Sequence, residues 1–130
     1  MIASAIHSAF DEIADRFDQR LRQNGAAAAI EAYVEEYLSD RHIEHPGYGC
    51  PVAAVAADAA RHRGVFAEEF VEGAERLIQR LSGGFGGEPR PSPARTKALR
   101  RLAMLVGAVV IARATGRSRL REEIIAACVS

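Results

Sequence analysis

Ala98-Leu99-Arg100-Arg101-Leu102-Ala103-Met104-Leu105-Val106-Gly107-Ala108-Val109-Val110-Ile111-Ala112-Arg113-Ala114-Thr115 reads as a helix that is apolar on every side. Leu99, Leu102, Ala103, Val106, Gly107, Val110, Ile111 and Ala114 recur at steps of three and four and make one face. Met104, Leu105, Ala108, Val109 and Ala112 make the opposite face apolar as well. A helix that is hydrophobic all round has to be covered all round. A chain of 130 residues has few other helices to cover it. Small residues at 103 and 107 let another helix come close, whether a neighbour in the same fold or a symmetry mate. The expectation is that this helix and the one after it pair with their copies as an intermolecular four-helix bundle. The alternative is the central core helix of a monomer.

The segments on either side are also helical in pattern. Ser92-Pro93 reads as an N-cap followed by proline at the first helical position, and Gly116 as the stop. Ser118 caps a last helix with Leu120, Ile124, Ile125 and Cys128 as its apolar positions. Upstream, Gly83-Gly84-Phe85-Gly86-Gly87 and the prolines at 89, 91 and 93 mark a flexible loop over about 82–92. Before it, Val65 to Leu81 carries the stripe Phe66, Phe70, Ala74, Leu77, Ile78 and Leu81. Pro51 to about Arg61 is a short alanine-rich helix, and Ser39 to Cys50 is read as irregular. Ala26 to Leu38 turns Ile30, Tyr33, Val34, Tyr37 and Leu38 inward. The first helix, Ile2 to Arg22, lays out Ile2, Ile6, Phe10, Ile13, Phe17 and Leu21 in one line. It ends at Asn24-Gly25, and Glu12 with Arg16 and Asp18 with Arg22 are spaced for i,i+4 pairs on its outer face. The whole is a single all-α domain over 1–130, with six helices and no strands.

Composition narrows the function classes. With 48% hydrophobic and 26% charged residues the chain is globular rather than disordered. Net charge is zero, but residues 1–82 hold 8 Arg against 14 Asp or Glu, and residues 83–130 hold 8 Arg and one Lys against 3 Glu. The halves should therefore attract each other, within one fold or across a dimer. The basic half lacks the interleaved aromatics of a nucleic-acid surface. The start, Met1-Ile2-Ala3-Ser4-Ala5-Ile6-His7, is not a signal peptide, and the longest apolar run, Leu102 to Ala112, is too short to cross a bilayer. A cytoplasmic protein without membrane contact is expected.

Candidate chemistry is sparse. The aromatic pairs Phe10/Phe17, Tyr33/Tyr37 and Phe66/Phe70 sit at helical spacing on helices that should converge. They read either as core packing or, with Ile13 and Met104, as the lining of an internal pocket for a small hydrophobic or aromatic compound. Cys50 precedes Pro51 at a helix N-terminus, where thiolate is favoured, and His42 and His45 lie upstream. A small thiol enzyme can be drawn from Cys50 with His42 or His45, but no third orienting residue or oxyanion site accompanies either pair. Two cysteines and four histidines without ligand spacing make no metal site, and no cofactor motif is present. An enzyme is not expected.

The runs Tyr37-Leu38-Ser39, His45-Pro46-Gly47-Tyr48-Gly49-Cys50-Pro51-Val52-Ala53-Ala54 and Phe70-Val71-Glu72-Gly73 resemble the C-terminal domain of TetR-like transcriptional regulators, in the branch with a Gly-Cys-Pro turn. Ala98 to Gly116 is similar to that family's penultimate helix, and Ser118 to Cys128 to its last. The resemblance covers essentially the whole chain. It implies a homodimer through Leu99, Leu102, Ala103, Val106, Gly107, Val110, Ile111, Leu120, Ile124, Ile125 and Cys128. It also implies an effector pocket lined by Phe10, Phe17, Tyr33, Tyr37, Cys50 of the Gly-Cys-Pro turn, Phe66 and Phe70, to which the residue pattern adds Ile13 and Met104. In such repressors the ligand lowers operator affinity by favouring one placement of two helix-turn-helix heads. No such head is read in these 130 residues, so DNA contact is expected only through a domain outside them. A ligand-free dimerisation module with a filled core remains open beside the sensing reading.

Overall fold

The computed structural model describes residues 2–45, 52, 56, 59–61, 64–83 and 92–129, with the side chains of all but 2–6, 65 and 66. Six helices are delimited: α1 (Ile2–Asn24), α2 (Ala26–Tyr37), α3 (Asp40–Glu44), α4 (Val65–Leu81), α5 (Pro93–Thr115) and α6 (Arg119–Val129). Residues 52, 56 and 59–61, between α3 and α4, are helical too. The fold is all-α, with no strand among the described residues. No described helix is long and apolar enough to cross a membrane.

Helix boundaries follow local chemistry. Gly25 takes φ +88°, a conformation that costs a residue without Cβ little, and its N–H closes the last turn of α1 on Leu21 O at 2.9 Å. Ser92 Oγ accepts the N–H of Arg95 at 3.1 Å with Pro93 at the first helical position, so α5 starts where the cap demands. Ser118 Oγ does the same for Arg121 N–H at 3.1 Å.

The segment read as irregular is in part α3, which brings the number of helices to seven once the helical residues 52, 56 and 59–61 are included. Ser39 explains it. Its Oγ accepts the N–H of His42 and its hydroxyl donates to Glu36 O, ending α2 and starting α3 with one side chain.

Packing is organised by α1 and α5. α1 lies chiefly on α4 and also on α2, while α5 lies against α2, α3 and α4 and carries α6. Phe10, Ile13 and Phe17 from α1 meet Leu77, Ile78 and Leu81 from α4 and Tyr33 and Tyr37 from α2 in one core. Burying each large side chain of this kind is worth about 1.5–3 kcal/mol over leaving it in water.

α5 contributes Ala98, Leu102, Leu105, Ala108, Val109 and Ala112, with Leu105 and Val109 fully buried. Leu102, expected on the interface face, is buried in the core of the single chain. Its direction on the helix, one turn from Ala98 and Leu105, leaves no other choice.

The expected i,i+4 partners on α1 are replaced by tertiary ones. Arg16 meets Glu36 of α2, and Asp18 holds Arg80 of α4 with two hydrogen bonds of 3.0 and 3.1 Å. The acidic and basic halves meet within the fold. Glu75 binds Arg95, Asp40 binds Arg121, and Glu44 binds Arg117. The hydrogen bonds that Arg95 donates to Glu75 hold its guanidinium still more firmly in its charged form.

Candidate functional site

A cavity of about 520 Å³ opens between α1, α2 and the start of α3. Its inner wall is aromatic. Phe17 stands edge-on to Tyr33 at 6.2 Å, Tyr33 leans on Tyr37 at 5.6 Å, and Tyr37 meets the His42 ring at 4.6 Å. Ile13, one turn before Phe17 on α1, completes that wall.

The outer rim is charged. Arg16 and Arg20 lie one turn apart on α1, and each reaches one oxygen of Glu36 on α2. Glu35 and Arg41 complete the rim. An apolar, aromatic interior with a few charged groups at one end is the usual build of a small-molecule site, and the volume lies in the usual range.

The second wall of interest is α3. His42 is buried, and its Nδ1–H donates to Tyr37 O at 2.7 Å, which sets the ring against the tyrosine. The backbone of α3 is gripped from the other side. Arg113 of α5 donates to His42 O at 2.8 Å and to Ile43 O at 3.0 Å. These are carbonyls at the end of a helix, which have no intrahelical partner of their own. Arg121 of α6, 5% exposed, binds Asp40 and Glu44. One five-residue helix therefore touches the cavity and both C-terminal helices.

The expected pocket residues divide. Ile13, Phe17, Tyr33 and Tyr37 come together at the cavity. Phe10 and Phe70 do not reach it; they form their own edge-to-face pair, 6.1 Å apart, between α1 and α4. Met104 is 41% exposed on α5 and lies away from the cavity, because its direction on that helix points outward. Cys50 and the side chain of Phe66 lie outside the described residues, as do the Gly-Cys-Pro turn and residues 84–91 of the loop. His45 is exposed and donates through Nδ1 to Arg41 O at 3.0 Å. The cavity residues that sequence reading missed are Arg16, Arg20, Ala32, Glu35, Glu36, Ser39 and Arg41, and His42 was read only as a partner for a thiol. A signal for the first two existed, since they flank Phe17 at i,i+4 spacing.

The interface candidates also divide. Leu99, Ala103, Val110, Ile111 and Ala114 are exposed along α5, with Val106 and Gly107 half-buried among them. This face lies opposite the core face of the same helix. On α6, Leu120 is exposed, while Ile124, Ile125 and Cys128 pack partly against the core. Burial pushes the Cys128 thiol up from its ordinary range. Among the described residues no group of His, Cys, Asp and Glu could hold a metal ion.

No family model, curated protein or solved structure matches this chain.

Proposed function

We propose that this chain is the ligand-sensing and dimerisation domain of a TetR-like transcriptional regulator in the cytoplasm. A small hydrophobic or aromatic compound occupies the cavity, and two copies pair through α5 and α6 as an intermolecular four-helix bundle. The observation that carries the reading is the shared position of α3. Its His42 side chain lines the cavity, while its carbonyls and carboxylates are held by Arg113 and Arg121 of the two C-terminal helices. A compound that displaces α3 acts on α5 and α6 through those bonds. That is what sensing requires, because a ligand shifts an equilibrium only as far as it binds the two states differently.

Pairing is supported by the outer face of α5, where Leu99, Val110 and Ile111 are all more than 40% exposed. A patch of this kind marks an interaction surface more often than a free one. Its small residues, Ala103 and Gly107, allow close approach of a second helix. DNA would be reached through a helix-turn-helix head whose placement depends on how the two copies pair.

Sedimentation combined with thermal unfolding against a panel of hydrophobic and aromatic compounds tests the reading. A dimer stabilised by one chemical class is expected, with about 2.7 kcal/mol gained at a hundred times Kd. A chain that stays monomeric at every concentration and responds to no compound contradicts it.

A further inference from the structure

We infer that the cavity selects an organic anion, an aromatic carboxylate whose ring lies on Phe17, Tyr33 and Tyr37 and whose carboxylate is taken by Arg16 and Arg20. The inference rests on the sensing reading and adds the charge of the ligand to it.

The rim decides the sign. On the α1–α2 side of the rim two guanidiniums, Arg16 and Arg20, converge on a single carboxylate, that of Glu36. The hydrogen bonds at the α1–α2 side are also unequal. Glu36 gives one oxygen to Arg16 and the other to Arg20, so both of its oxygens are engaged. Each guanidinium has five N–H donors, and Glu36 occupies one on each. The surplus at this end of the cavity is therefore in donors and in positive charge. A carboxylate fits that surplus, and two guanidiniums one helical turn apart can engage it with charge-assisted bonds, about twice the strength of neutral ones.

A cation meets the reverse situation. The Glu36 carboxylate is already engaged by Arg16 and Arg20, and two positive groups stand beside it. A neutral aromatic compound gains the wall but leaves the guanidiniums as they are. Both arginines are partly exposed, with side chains 44% and 33% accessible, so they can turn from Glu36 to an incoming anion without being drawn out of a dry core.

The test uses three ligands of one shape and three charges, 2-naphthoate, 2-naphthamide and 2-naphthamidine, titrated by calorimetry into the full chain. The anion is expected to bind about tenfold or more tighter than the amide, equivalent to about 1.4 kcal/mol, with the amidine weakest. The double variant Arg16→Gln/Arg20→Gln should bring anion and amide to parity. Glu36→Gln should move the other way and tighten the anion alone, since it removes the competing acceptor. Unfolding of each variant without ligand establishes that it is folded. Amide or amidine binding as tightly as the anion overturns the charge assignment and leaves the sensing reading standing. No binding of any of the three removes the aromatic cavity site itself, and the inference with it.

Discussion

The ring of Phe10 fills the space that a side chain at position 73 would need. A Cβ built on Gly73 falls within 2.6 Å of three Phe10 ring carbons, closer than real contacts allow. Phe10 is 2% exposed and is held edge-on by Phe70, so the ring has nowhere to swing. The glycine is thus what lets α1 and α4 lie close, and α1 is the helix that carries Phe17, Arg16 and Arg20 to the cavity. Gly73→Ala should lower stability by about 1–3 kcal/mol despite the better helix propensity of alanine. Chemical denaturation measures it. A smaller side chain at position 10, as in Phe10→Leu, should recover part of the loss in a double-mutant cycle.

Gly107 presents the opposite case. It lies in the middle of α5, and a Cβ there meets nothing within 4 Å. Within one chain, Gly107→Ala should be neutral or stabilising by up to about 1 kcal/mol. Where a second copy packs against this face, a larger residue collides with it. Gly107→Leu and Val110→Glu should therefore shift sedimentation from dimer to monomer while circular dichroism keeps its helical signal. A dimer indifferent to both substitutions would place the contact elsewhere.

Arg113 and Arg121 should matter for coupling as well as for stability. Arg113→Met strips the donor from His42 O and Ile43 O, and Arg121→Met frees Asp40 and Glu44. Each change should cost about 1–3 kcal/mol, the usual range for a lost hydrogen bond to a charged group with its partner left behind. Either variant should also weaken the effect of a bound aromatic compound on the dimer dissociation constant. Comparing that constant with and without 2-naphthoate, in wild type and variant, reads the coupling directly. An unchanged ratio in both variants would remove α3 from the route.

Cys128 should be a slow thiol. Its pKa is raised by burial, so at pH 8 it holds less thiolate than an unfolded cysteine does. The sign for stability follows: the contribution is fully present below the unfolded thiol's pKa and is lost as pH climbs through the folded value. Alkylation followed by peptide mass spectrometry separates Cys128 from Cys50. The rate at Cys128 should rise with pH later than in the urea-unfolded chain. Coincident pH profiles would mean that the thiol is not shielded.

Much of the architecture was legible beforehand for a local reason. Asn24-Gly25, Ser92-Pro93 and Ser118 end or begin helices through bonds that span only a few residues, and they sit where the pattern puts them. The apolar lines on α1, α2 and α4 were legible likewise, because a 3.6-residue period needs no knowledge of the partner. α3 was missed because Pro46, Gly47 and Gly49 made the whole segment look broken, although Ser39 was there to cap a helix before them. The cavity was half legible. Ile13, Phe17, Tyr33 and Tyr37 announced themselves as aromatic or apolar, while Arg16, Arg20 and Glu36 looked like an ordinary solvated face.

The order of residues along the chain already makes it helical, marks where most helices start and stop, and gives α5 more apolar surface than one neighbour can cover. Those properties come from caps, turns and periodicity, all read within a few residues. Which face of α5 became core, which arginine met which carboxylate, and which aromatics reached a cavity rather than each other emerged only once the helices packed. Those outcomes depend on how closely and at what angle helices pack. That spacing was set by contacts such as Phe10 on Gly73, between residues more than sixty positions apart.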